Sequence, residues 1–239
     1  MTLLRIALSV LLLALSSPGW GQGTLPPSTE EDARASQQLA DGVRLMQSKR
    51  SAEAIQIFDK VAASYASRFK DKNVTYFGAR SPTESLLYVV QAANANKGSA
   101  QVVSANWGYA YYLKGYALLD LGQISEAKSQ LQRAVALSPQ NSQFLSELGH
   151  IYQVEKNWKL ALETFQRAES AATEFSPPNV QNAELGRAWR GMGFVYVELN
   201  RLDDAEAMYR KCLELDRNDA AAMRELGFVQ GVKAKMKAK

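Results

Sequence analysis

Trp189-Arg190-Gly191-Met192-Gly193-Phe194-Val195-Tyr196, followed by Ala205, Tyr209 and Cys212, is the stretch that decides the fold. Gly193 stands 34 residues before Gly227, and Gly115 stands 34 before Gly149. Gly149 to Gly193 is 44, one more period with ten residues inserted. Twelve residues after the first three of these glycines comes Ala127, Ala161 or Ala205. Four later comes a bulky residue, Leu131, Phe165 or Tyr209, and three later a small one, Ala134, Ala168 or Cys212. Leu118, Tyr152 and Tyr196 lie three residues after the glycines, and Tyr111, Leu145 and Trp189 four before. A fixed period of this length marks a stacked repeat.

Each unit reads as a helix, a turn and a second helix. Glycine and alanine mark where two antiparallel helices touch, and the large residues at three- and four-residue spacings fill the gaps on one face. Leu121-Gly122-Gln123, Glu155-Lys156-Asn157 and Leu199-Asn200-Arg201 are the turns. Pro139 closes a second helix, because proline cannot continue one. The ten-residue insert is placed near 174–183, where Pro177-Pro178 breaks the helical pattern.

Three units in phase over about 108–219 resemble the tetratricopeptide repeat, whose tryptophan, leucine-glycine, tyrosine, alanine and phenylalanine positions are met in order. The resemblance implies an all-α, right-handed superhelical solenoid of antiparallel helix hairpins. Residues 220–232, which keep the phase through Gly227, are expected to form a capping helix, with a basic tail over 233–239. Upstream, Gly42, Ala54 and Phe58 have the same spacings, so 31–66 reads as a weaker repeat. Gly42 to Gly115 is 73 residues. Residues 70–80 fit no helix and carry strand-prone side chains, and the reading leaves open whether this loop is filler or a contact site. Ser81-Pro82-Thr83-Glu84 reads as a capping box that starts a helix running to about residue 96. The whole segment 31–107 is taken as a divergent repeat region in which a loop replaces one first helix.

In the family, the first helix of each unit lines a concave groove. Carried onto this sequence, the groove is Tyr109, Tyr112, Tyr116 and Leu119, then Gln143, Ser146, His150 and Gln153, then Arg187, Arg190, Phe194 and Glu198. The last helix adds Arg224 and Phe228. Tyr and Arg are common interface anchors. The alternative is that the tyrosines pack, since aromatic stripes on helices are usually core. Three arginines on neighbouring helices repel unless an acid or a ligand compensates. Some family members clamp a partner's terminal carboxylates with lysine and asparagine. Here Tyr112, Tyr116 and Glu147 hold the matching positions, so that clamp is absent.

The remaining features bound the function. Of 239 residues, 46% are hydrophobic and 22% charged, ordinary values for a globular protein. The net charge is +4, and Lys233, Lys235, Lys237 and Lys239 alone supply four positive charges. The body is therefore near neutral, which argues against nucleic acid as a partner. The tail is either a solvated end or a weak contact for anionic surfaces. Arg5, the apolar run 6–15 and the small residues Gly19 and Gly21 have the parts of a secretory leader cut before Gln22, with 22–30 a flexible lead-in. Ten residues span about half a bilayer's hydrocarbon core, so an anchor is the lesser reading, and no later run is long enough to cross a membrane. His150 is the only histidine and Cys212 the only cysteine. No nucleophile context, phosphate-binding glycine loop or zinc spacing is present. No metal, cofactor or catalysis is expected, and Cys212 reads as a buried packing thiol. The expected function is a periplasmic or secreted scaffold that binds a protein or peptide. The alternative is an accessory subunit of envelope polysaccharide synthesis or export that contacts glycan.

Overall fold

The computed structural model describes residues 29–94 and 99–237. The leader, most of the lead-in and the last two residues lie outside the described residues. Helices α1 (Glu30–Gln47) and α2 (Ser51–Arg68) form the first hairpin. A strand–helix–strand excursion follows, β1 (Val74–Ala79), α3 (Pro82–Asn94) and β2 (Ser99–Ser104). Three more hairpins come next: α4 (Asn106–Asp120) with α5 (Ile124–Leu137), α6 (Ser142–Val154) with α7 (Trp158–Phe175), and α8 (Pro178–Glu198) with α9 (Leu202–Leu215). Helix α10 (Ala220–Lys237) ends the array. The stacked hairpins form an all-helical solenoid, decorated by one small sheet.

The predicted small-to-large contacts are formed. A Cβ added to Gly193 would lie 2.7 Å from the ring of Tyr209, and one on Gly42 would lie 2.3 Å from Phe58. Phe165 is gripped from two helices: a Cβ would come within 2.9 Å of it at Gly149 and 2.3 Å at Gly191. Ala127, Ala161 and Ala205 are fully buried opposite. Gly227 keeps the phase but faces nothing within 4 Å, since no second helix packs on it among the described residues.

Each hairpin turns the same way. Lys49, Gly122, Lys156 and Asn200, each seven residues beyond its unit's glycine, have φ of 63°, 75°, 56° and 56°. The next amide reaches back across the helix end, as in Asn157 N–H to the Tyr152 carbonyl at 2.8 Å and Arg201 N–H to Tyr196 at 2.8 Å. This is the left-handed C-terminal cap that satisfies the last carbonyls of the first helix.

Three features differ from the sequence expectation. First, α2 packs directly on α4, and α1 also touches α4. The first hairpin therefore stacks on the second with ordinary repeat contacts, and 74–104 is an excursion between them, not a degenerate repeat. The excursion's strands pair in parallel, Val74 with Ser99 through Ala79 with Ser104, joined by α3 as the crossover that parallel strands require. Second, the ten inserted residues are mostly helix, not loop. Helix α7 has 18 residues and α8 has 21, against 14 in α5 and 13 in α6. Only Ser176 and Pro177 interrupt them. Third, α10 continues through the predicted tail to Lys237.

Candidate functional site

The predicted groove positions fall into a closed half and an open half. In α4, Tyr112 and Tyr116 are 1% and 5% exposed. Tyr112 stacks on Phe144 of α6 with ring centroids 5.0 Å apart, and Tyr109 meets the same ring edge-on at 5.0 Å. Gln143 Nε2 donates to the Tyr112 hydroxyl at 3.1 Å. Burial pushes the hydroxyls of Tyr109, Tyr112 and Tyr116 above the usual phenol range. The tyrosine stripe is thus a seam between α4 and α6, which corrects its reading as an exposed groove patch. Ser146 is also buried, and its hydroxyl has no hydrogen-bond partner. Gln153 ties α6 to α8 by donating from Nε2 to the Gly191 carbonyl at 2.9 Å. His150 Nδ1 lies 3.1 Å from Gln153 Oε1, with the ring exposed.

Local acids compensate two of the three predicted arginines. Arg187 pairs with Glu147, a carboxylate only 2% exposed. Arg190 pairs with Asp219, whose other oxygen caps α10 through the amides of Ala221 and Ala222 at 3.1 and 3.0 Å. Arg224 is exposed and has no ion-pair partner among the described residues. Phe228, one turn on, is 56% exposed. Phe194 is half-buried, with its ring 6.4 Å from Trp158. Of the predicted groove positions, His150, Glu198, Arg224 and Phe228 are exposed and Phe194 half-buried.

A polar cluster that the sequence reading missed lies at the edge of the array. Arg80 is 4% exposed, Glu84 0%, Glu184 8% and Ser176 8%. Arg80 donates from its guanidinium to Glu84 at 2.9 Å and to Glu184 at 2.7 Å. Its backbone amide donates to Glu84 at 2.6 Å, and the Ser176 hydroxyl donates to Glu184. Burial alone would lower the Arg80 pKa, but Glu184, Tyr109 and Glu84 outweigh it and raise it. Burial pushes the Glu84 carboxyl up, against the pull of Arg80. Only half of the expected capping box forms. The Ser81 hydroxyl accepts from the Glu84 amide at 3.2 Å, while the Glu84 carboxylate turns to Arg80. Two more bonds hold the excursion to the turn between α5 and α6: Ser138 hydroxyl to the Gly78 carbonyl at 2.6 Å, and the Gln140 amide to the Tyr88 hydroxyl at 3.2 Å.

Residues 108–141 and 142–218 both match the sequence profile of the tetratricopeptide repeat. Residues 108–218 are tetratricopeptide repeats. Over 138 residues this chain is 25% identical to cellulose synthase operon protein C of Escherichia coli K12, and equally to the putative protein of that name in Escherichia coli O157:H7. That stretch covers 56% of this chain and 12% of the length of those relatives. Among solved structures, PilF from Pseudomonas aeruginosa superposes with a TM-score of 0.61 at 14% identity, over 87% of this chain and 72% of that one. MamA from Desulfovibrio magneticus superposes with a TM-score of 0.55 at 18% identity, over 88% and 90%. Both show the same fold.

In the tetratricopeptide array Cys212 fills the small-residue position of α9. It is 1% exposed, and burial pushes its thiol up to about 12, which leaves it unreactive at neutral pH. Lys233 is part of the fold, pairing with Asp203 at 2.6 Å and Glu206 at 2.5 Å on α9. Among the described residues no three His, Cys, Asp or Glu side chains are grouped to hold a metal, and no helix is long and apolar enough to cross a membrane.

Proposed function

We propose that the chain is an exported scaffold that binds a segment of another protein along the open, C-terminal half of the concave face. The observation that carries this reading is Arg224, an exposed arginine with no acid partner among the described residues, beside the exposed ring of Phe228. Arginine supplies charge-assisted bonds to a carboxylate, and a ring on a rigid helix buries area at low entropic cost. Arg187 and Arg190 add positive potential but are partly spent on Glu147 and Asp219. The favoured segment therefore carries an acid and an apolar or aromatic anchor. The closed tyrosine half contributes rigidity.

Arg224→Ala is the clean test, because Arg190→Ala would also strip Asp219 of its partner. With a cross-linked partner from envelope extract, Arg224→Ala should weaken binding about ten-fold, and added salt should weaken it further. An unchanged affinity removes this arginine from the site. Export rests on Arg5, the apolar run 6–15 and the small residues near Gly21. N-terminal sequencing of the mature protein should begin near Gln22, and recovery of Met1 on a membrane-bound form would refute cleavage. A second reading, an accessory subunit that contacts envelope glycan, is favoured by the 138-residue match to cellulose synthase operon protein C. Binding to a glycan array that Arg224→Ala leaves intact would select it.

A further inference from the structure

Helix α3 carries an apolar face that is uncovered among the described residues. Leu86, Val89 and Val90 are 67%, 47% and 46% exposed. Their i, i+3, i+4 spacing places them side by side. An open cleft of about 580 Å³ lies between α3 and α7, lined on α3 by Leu87 and Gln91, the first of them next in the chain to Leu86, and on α7 by residues that include Phe175. The α7 wall is polar: Glu163, Arg167 and Glu174 recur on one exposed face of that helix. None of the three is in an ion pair among the described residues. Two carboxylates against one guanidinium leave this wall acidic.

We propose that this cleft docks an amphipathic helix from a partner protein, with an apolar stripe against Leu86, Leu87 and Val90 and a basic flank toward Glu163 and Glu174. A helix in a groove between helices is a common recognition mode, in which apolar anchors recur every three or four residues. Helix α3 has 13 residues, so a partner helix of about 13 residues, roughly 20 Å long at 1.5 Å per residue, matches its length. Charge selects the occupant. A second copy placed symmetrically on this face would set two walls of net negative charge against each other, since a two-fold interface uses the same patch twice. The run 6–15 of this chain contains no charged residue, and only Arg5 beside it is basic. A helix with lysine or arginine along one flank fits both walls. Neither Arg224 nor Phe228 lines this cleft, so this surface and the concave one succeed or fail separately.

The test uses the full chain and two fluorescent 14-residue helical peptides with the same leucine stripe, one flanked by lysines and one by glutamates. Fluorescence anisotropy should show saturable binding of the lysine peptide and about ten-fold weaker binding of the glutamate peptide. Val90→Asp and, separately, Leu86→Ser should weaken the lysine peptide about ten-fold, and circular dichroism should show unchanged folding because both side chains are exposed. Glu163→Gln combined with Glu174→Gln should bring the two peptides within about three-fold of each other. Arg224→Ala should change nothing here. Equal binding of the two peptides, or binding unaffected by Val90→Asp and Leu86→Ser, would overturn the proposal. So would loss of binding in Arg224→Ala, which would place the peptide in the concave groove. Sedimentation that showed a dimer abolished by Val90→Asp would assign the face to a second copy instead. Binding that appears only when residues 1–28 are removed would assign it to that segment.

Discussion

The repeat hairpins and the excursion at 74–104 are attached by different physics. In the hairpins the recurring contact is apolar: a glycine or alanine on one helix receives a ring or a leucine from a neighbouring helix. Gly193 against Tyr209 and Gly149 with Gly191 around Phe165 are such contacts. The excursion adds a buried ionic contact to its other bonds: Arg80 reaches 104 residues along the chain to Glu184 on the lengthened α8. The two departures from the regular period, the excursion and the ten-residue insert, thus meet at one edge. The ionic contact is all-or-none, because a buried charge that loses its partner has no water to replace it.

The largest effect should come from breaking the ionic contact on one side only. Arg80→Met leaves Glu84 and Glu184 buried without their cation, at a cost of about 3–5 kcal/mol by urea unfolding. Removing all three charges together, as Arg80→Met, Glu84→Leu and Glu184→Met, should recover most of that loss. A triple variant as unstable as the single one would show that the cluster contributes more than mutual neutralisation. Next comes the apolar contact. Gly193→Ala drives a methyl to within 2.7 Å of a buried ring and should cost roughly 1–3 kcal/mol. The same substitution one period later should reverse sign. Gly227 faces open space, so Gly227→Ala should stabilise by about 0.4–1 kcal/mol through the unfolded chain's lost freedom. Equal melting shifts for these two glycines would break the comparison between filled and unfilled repeat positions.

Two smaller effects sharpen it at the C-terminal end. Arg224→Ala should change stability by less than about 0.5 kcal/mol, since the side chain is exposed and unpaired among the described residues. Lys233 hydrogen-bonds Glu206, and with Arg210 it holds that carboxyl at about 2. A depressed carboxyl stabilises the fold above its unfolded value and loses that contribution as the pH falls through about 2. Lys233→Met should move the Glu206 midpoint, followed by carbonyl carbon resonance, back toward 4.5. A midpoint that stays in place would detach α10 from this pair.

The period, the hairpin turns and the glycine-to-ring partners were legible in the sequence alone. They depend on residues at most a few turns apart on two consecutive helices, where 3.6-residue periodicity and the presence or absence of a side chain set which atoms meet. Tertiary structure alone decided the rest. No spacing rule links Arg80 to Glu184, and a Glu at the third position after Ser81 reads as a cap whether or not a buried guanidinium competes for it. The direct stacking of α2 on α4 turned a supposed degenerate repeat into an excursion. Whether Tyr112 and Tyr116 line a groove or fill a seam likewise depended on how closely α6 approaches α4, with Phe144 between them. A sequence states which face a residue occupies on its own helix, but its exposure is set by the distance to the next one.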